Sequence, residues 1–164
     1  MIEEGPKVFK NPADYDSMAN LMWCSTMALN GLISRGVPED WSIHMIGHEL
    51  TAFHGIDHAR TLAIVLPGIW HVFRKEKSEK LLQYAERIWN IKEDTEDEII
   101  DKAIEKTVTF FESLGIPTRL NEYGVNETTI GKIVHRFHQR KWNNFGDREM
   151  VTPEKTKEVL EWRI

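Results

Sequence analysis

The stretch HMIGHELTAFHGIDHARTLAIVLP, residues 44–67, carries four of the seven histidines in the chain. On a helix turning about 100° per residue, Ile43, Ile46, Leu50 and Phe53 fall on one side, which is the side expected to meet a core. His44 and His48 fall on the other, and being four residues apart their rings are neighbours. Thr51 shares that surface and the small Gly47 lies just beside it, so the pattern predicts space in which something can dock. Gly55 breaks the helix, Asp57 is placed to cap the next one, and His58 stands at or near its first position. There the positive end of the helix dipole favours a neutral imidazole, which is the form that binds a metal. His44, His48 and His58 are therefore candidates to converge on one cation, with two helices fixing the angle of approach. HELTAFH is not the HExxH helix of zinc proteases, because its second histidine comes six positions after the first instead of four.

Outward from this stretch the apolar spacing is helical. Asn11-Pro12 reads as a helix start, and Tyr15, Met18, Leu21, Met22, Leu29, Leu32 and Ile33 continue it to Gly36 as a long helix expected to be largely buried. Asp40 is the expected cap of the histidine-bearing helix, and Pro67 is expected to kink or end the one after it. A further helix is read over Ser78–Asn90. Thr95 with Glu98 makes a capping box for another that runs to Leu114, before the stop Gly115-Ile116-Pro117. Shorter helices follow around Thr128–Gln139 and after Thr152-Pro153. No segment alternates apolar and polar residues long enough to be a strand. The expectation is an all-α helical bundle of about seven helices, residues 1–164 forming a single domain.

Composition narrows the function classes. With 164 residues, 41% hydrophobic and 29% charged, the chain can bury a core of its own. A formal net charge of -5 argues against nucleic acid as a partner. No run approaches the roughly twenty apolar residues of a membrane span, and the opening MIEEGPKVFK lacks the pattern of a signal peptide. The single cysteine, Cys24, excludes an internal disulfide and reads as a packed core thiol. A cytoplasmic protein without a membrane partner is expected. His54, His71, His135 and His138 read as satisfied polar residues, the charged run Lys92–Glu98 as a solvated helix start, and the Met and Trp residues as core. There is no glycine-rich phosphate loop, so any nucleotide phosphate would be cradled outside this chain.

The same residues carry a resemblance. HMIGHELTAFHGIDHARTLAIVLP resembles the signature segment of the iron-containing (group III) alcohol dehydrogenases. ALNGLISRGVPEDW (residues 28–41) and KLLQYAERIWNI (residues 80–91) resemble the butanol-dehydrogenase-like, aldehyde-reducing branch. The resemblance implies a dehydroquinate-synthase-like two-domain enzyme, with an N-terminal α/β domain that binds NAD(P)H and a C-terminal all-helical domain, of which this chain is the second. It implies a divalent metal, with Fe2+ favoured and Zn2+ an alternative, held by one aspartate and three histidines. The last two ligands correspond to His44 and His58. His48 corresponds to the residue facing nicotinamide and substrate, and so to a catalytic and cofactor-binding position. The aspartate and first histidine, spaced DxxxH, would lie upstream together with the cofactor domain, no DxxxH being expected within the chain to take their place. The substrate is then a small aldehyde or alcohol, the whole enzyme a homodimer, and this chain alone inactive.

Two readings from other classes stand beside it. One is a self-contained helical metal-dependent hydrolase, in which Asp57-His58 would serve as a reversed His-Asp pair around a water-activating metal. The other is a non-catalytic helical interaction domain whose histidines are incidental.

Overall fold

The computed structural model describes residues 1–164 and is helical throughout. In chain order the helices are α1 (Glu4–Lys10), α2 (Tyr15–Leu29), α3 (Ser42–His54), α4 (His58–Val72), α5 (Ser78–Trp89), α6 (Glu96–Ser113), α7 (Glu127–Gln139) and α8 (Pro153–Glu161). Short 3-10 turns occur at Asn121–Tyr123 and Asp147–Glu149, and the only β pairing is an isolated bridge between Phe145 and Val151. Eight helices thus stand where about seven were expected, the extra one being α1. The chain divides into two compact units, residues 1–39 and residues 40–164.

In the first unit, α1 and α2 pack on each other. The expected start at Asn11-Pro12 falls short of the observed one. Asp14 is the cap of α2: its carboxylate accepts from the Ser17 backbone N–H at 3.4 Å and from the Ser17 hydroxyl at 2.7 Å. The helix ends at Leu29, where Asn30 and the left-handed Gly31 follow, instead of reaching Gly36. The long helix is also not buried as expected, since Ser17 is its one buried residue and Met22, Trp23 and Leu29 are exposed.

The second unit is built on α3 and α4, which pack on each other, with α8 and α6 against α4, α7 against α8, and α5 against α6. Ile46 and Leu50 of α3, Ile64, Val65 and Ile69 of α4, Ile130, Ile133 and Phe137 of α7, and Val159 and Leu160 of α8 meet in one core. Ile43 and Phe53 lie against it half-buried, so the apolar side read from the sequence is the side that packs. Leu81, Ile100 and Ile104 close a smaller cluster between α5 and α6. Thr95 and Glu98 make the expected capping box, each side chain bonded to the other's backbone N–H. Thr152 likewise caps α8, ahead of Pro153.

Pro67 lies inside α4, which continues five residues beyond it. A proline there has no N–H to give the Ala63 carbonyl, and the chain just beyond α8 packs against the neighbouring Ile64 carbonyl. Arg163, fully buried, donates from Nε to the Ile64 carbonyl at 3.0 Å and from a terminal nitrogen to the Thr118 carbonyl at 2.6 Å. Burial away from any carboxylate partner pushes its guanidinium down to about 10, Arg119 adding to the effect while Glu112 and Glu122 oppose it. Gly68 lets α8 approach, because a Cβ there would stand 2.9 Å from the Val159 carbonyl oxygen.

Candidate metal centre

Three histidines come together at the α3–α4 corner. Gly55, left-handed at φ 67°, closes α3 with its N–H on the Thr51 carbonyl, and the Thr51 hydroxyl donates to the Ile56 carbonyl at 2.8 Å. That brace turns the chain so that His58 opens α4 opposite His44 and His48. Asp57 stands at the cap position but its side chain makes no cap bond. It pairs with Arg60 at 3.4 Å instead. Thr51 is thus occupied in the turn, and Gly47 is buried against Thr61, so neither opens the docking space that the sequence pattern suggested.

His44 Nδ1 lies 3.2 Å from His58 Nε2. Ring centroids are 5.0 Å apart for His44–His58 and for His48–His58, and 6.3 Å for His44–His48. One nitrogen from each of the three rings fits within a 4.8 Å group. Two metal–nitrogen bonds of about 2.1 Å ending on atoms 3.2 Å apart enclose an angle of about 100°, which suits a tetrahedral or octahedral cation. The donor set therefore fits a borderline divalent metal. His44 is half-buried while His48 and His58 are exposed. Burial first, then the neighbouring His58 and His48, holds the His44 imidazole below its ordinary value and so keeps its lone pair available.

Asp40 stands four residues ahead of His44, a DxxxH spacing within the chain where none was expected. Its carboxylate is engaged elsewhere, accepting from the Ser42 N–H at 2.9 Å and from Lys77 Nζ at 2.7 Å. Burial pushes that carboxyl up, but Lys77 and Ser42 outweigh it and leave it below the usual range. Trp41, not the expected Asp40, stands at the cap position of α3 and makes no side-chain cap bond, while the Asp40 carboxylate braces the turn before the helix and belongs to an ion pair, not to the histidine cluster. Three of the four remaining histidines have partners elsewhere: His54 bonds Thr129 at 2.9 Å, His71 stacks on Trp162 at 4.2 Å, and His138 meets Glu154 at 3.2 Å.

Two neighbours of the cluster escape sequence reasoning. Trp41, 45% exposed, sets its ring 4.9 Å from that of His44. An aromatic three positions ahead of His44 was the available signal. Glu49, only 3% exposed and adjacent to His48, is bound by Arg136 at 2.8 Å and by Arg140, which ties α3 to α7. Its partners lie 87 and 91 residues away, and no local pattern announces them.

Residues 1–161 match the model of the Fe-containing alcohol dehydrogenase family, C-terminal part. The chain belongs to the iron-containing alcohol dehydrogenase family. Among its relatives, the NADPH-dependent aldehyde reductase YqhD of Escherichia coli is 50% identical over 98% of this chain, which spans 42% of that protein. NADH-dependent butanol dehydrogenase B of Clostridium acetobutylicum is 38% identical over 79% of this chain and 34% of its own length. Solved structures agree. The E. coli aldehyde reductase without substrate and cofactor superposes with a TM-score of 0.96 at 49% identity, over 99% of this chain and 43% of that one. Butanol dehydrogenase A of Thermotoga maritima does so at 0.87 and 29% identity, over 99% and 42%. The chain spans about two fifths of the length of these family members. Its all-helical architecture is that of the C-terminal helical domain in this family.

Proposed function

We propose that this chain is the metal-binding, C-terminal helical half of an NAD(P)H-dependent aldehyde reductase or alcohol dehydrogenase. The observation that carries the reading is the 3.2 Å approach of His44 Nδ1 to His58 Nε2 from two successive helices, in a chain of the iron-containing family. His44 and His58 are the proposed metal ligands, and His48 the residue turned toward nicotinamide and substrate. An upstream α/β domain supplies the remaining ligands and the phosphate cradle. Names of relatives couple this half to NADPH in one case and NADH in another, so the nicotinamide is written NAD(P)H. A reducing cytoplasm suits its single cysteine, and a homodimer is the proposed state of the whole enzyme.

When bound, a divalent cation, Fe2+ by family or Zn2+ in its place, supplies Lewis-acid polarisation of the substrate carbonyl. His44 contributes a lone pair kept free by its burial. His58 meets it from α4, so the two-helix corner sets the angle between the ligands. A bound nicotinamide would supply the hydride, and His48, exposed beside the pair, would hold at a ring nitrogen the proton that the substrate oxygen takes. Trp41 gives the rim an apolar wall. The hydrolase alternative needs a carboxylate beside His58, and Asp57 is turned to Arg60.

The test joins this chain to the upstream part of the E. coli reductase and follows aldehyde-dependent NADPH oxidation with Fe2+ or Zn2+ present. Turnover is expected, with loss of at least about a hundredfold in His44→Ala and His58→Ala. In His48→Ala kcat falls while metal content stays. A folded, metal-loaded chimera without turnover sinks the proposal, and metal-dependent phosphoester hydrolysis by the chain alone would favour the hydrolase.

A further inference from the structure

A cation held from two helices requires those helices at one separation, because metal–nitrogen bonds tolerate only tenths of an ångström. At the α3–α4 crossing, Gly47 of α3 meets Thr61 of α4 with no room for a side chain between them. A Cβ added to Gly47 would stand 2.7 Å from Thr61 Oγ1, 3.3 Å from Thr61 Cβ and 3.5 Å from Leu62 Cδ2. Thr61 is fully buried and cannot swing into solvent. Its hydroxyl is already committed, donating to the His58 carbonyl at 2.7 Å, and its N–H donates to the Asp57 carbonyl at 3.1 Å. Gly47 lies three residues after His44 and directly before His48, and Thr61 three residues after His58. The Thr61 hydroxyl therefore stands between the backbone of α3 and the backbone of His58.

We propose that Gly47 and Thr61 are positioning residues of the histidine cluster: their contact fixes how far His58 stands from His44 and His48. A methyl group at position 47 leaves two ways out. Either Thr61 turns away and releases the His58 carbonyl, or α4 retreats from α3. Both move His58 relative to His44. A smaller side chain at position 61 removes the obstacle, and serine there keeps the hydroxyl. The purpose of the device rests on the reading of the histidines as a metal centre, while its geometry does not.

The test uses the full chain and Co2+ alone as probe, with crystal structures of the metal-free variants. Gly47→Ala is expected to keep its helical circular dichroism, to widen the His44–His58 nitrogen separation beyond 3.2 Å, and to weaken Co2+ binding about tenfold or more. Thr61→Ser should match the parent chain in both respects. Gly47→Ala with unchanged separation and unchanged affinity overturns the proposal. If Gly47→Ala fails to fold, Thr61→Val decides, since it keeps the volume and loses the hydroxyl. It should bind Co2+ more weakly than Thr61→Ser, and equal affinities overturn the proposal. Co2+ binding that survives His44→Ala/His58→Ala overturns the metal reading instead, and the metal-free ring separation still judges the spacing.

Discussion

At the residue scale, the most exposed commitment of the fold is a charge. The Glu49 carboxylate is 3% exposed and held by Arg136 and Arg140, themselves partly open to water, with the Arg136 guanidinium lying 4.1 Å above the Phe53 ring. Glu49→Gln keeps the shape and removes the charge, leaving two guanidinium groups at one neutral amide. Breaking a buried pair from one side costs about 3–5 kcal/mol, and the solvent around both arginines lowers that to about 2–3 kcal/mol here. Urea denaturation should show the loss, and a midpoint equal to that of the parent would refute it. A histidine supplies the pH dependence. Burial first and Arg74 second hold the His71 imidazole below its ordinary value, with Asp101 pulling the other way, and His44 is shifted in the same direction. The unfolded chain therefore takes up protons near pH 6.5 while the native chain resists them. Stability present above that pH is lost as the pH falls through it toward the folded value. Carboxylates titrate lower, so the window belongs to histidine. His71→Phe keeps a ring against Trp162 without a proton site. Its urea midpoint should drop less than the parent's between about pH 7.5 and about pH 5.5, and equal drops would count against the assignment.

At the element scale, two helical glycines separate packing from propensity. Gly131 in α7 has nothing within 4 Å of an added Cβ, so Gly131→Ala should gain about 0.5–1 kcal/mol from helix propensity alone. Gly68 in α4 faces the Val159 backbone at 2.9 Å, and Gly68→Ala should lose about 1–3 kcal/mol as α8 is pushed away. Thermal melts of the two variants should move in opposite directions, and a shared direction would refute the argument. The contrast also explains what a sequence reader can and cannot see. Helices begun by local chemistry, such as Thr95 with Glu98 or Thr152 before Pro153, were legible because cap and capped group lie within four residues. Asn11-Pro12 misled because Asp14 with Ser17 offers the stronger cap three residues later. Pro67 does not end α4, and the buried Arg163 that packs on this stretch comes from a segment 99 residues from Ile64, beyond the reach of any local pattern. In the site, His44, His48 and His58 were legible from helical spacing and one glycine break, and their grouping followed. Gly47 was read with the wrong sign: small residues on a helix announce close approach, but only the facing helix says to what.

At the scale of the whole molecule, apolar surface is unevenly spent. Ten of the twelve large apolar side chains left exposed lie in residues 1–39, Trp41 and Ile88 being the other two. That first unit buries almost nothing of its own, while the second holds the core. Isolated apolar residues on a surface need no account, but a run of this density on one short segment marks a surface that associates. Relatives are more than twice as long, and the part of them that this chain lacks is one natural cover for it. Without a cover, like surfaces meet, and a net charge of -5 on 164 residues offers only weak opposition. The chain alone should therefore self-associate, with sedimentation coefficients that rise with concentration and fall back on dilution. Trp23→Lys combined with Leu29→Lys places two charges on the exposed run of α2, where both side chains are mostly solvated and little packing is lost. The double variant should sediment as a monomer with an unchanged melting transition. A parent chain that stays monomeric at the concentration of an NMR sample, or a double variant that associates as strongly as the parent, would show that this surface is inert.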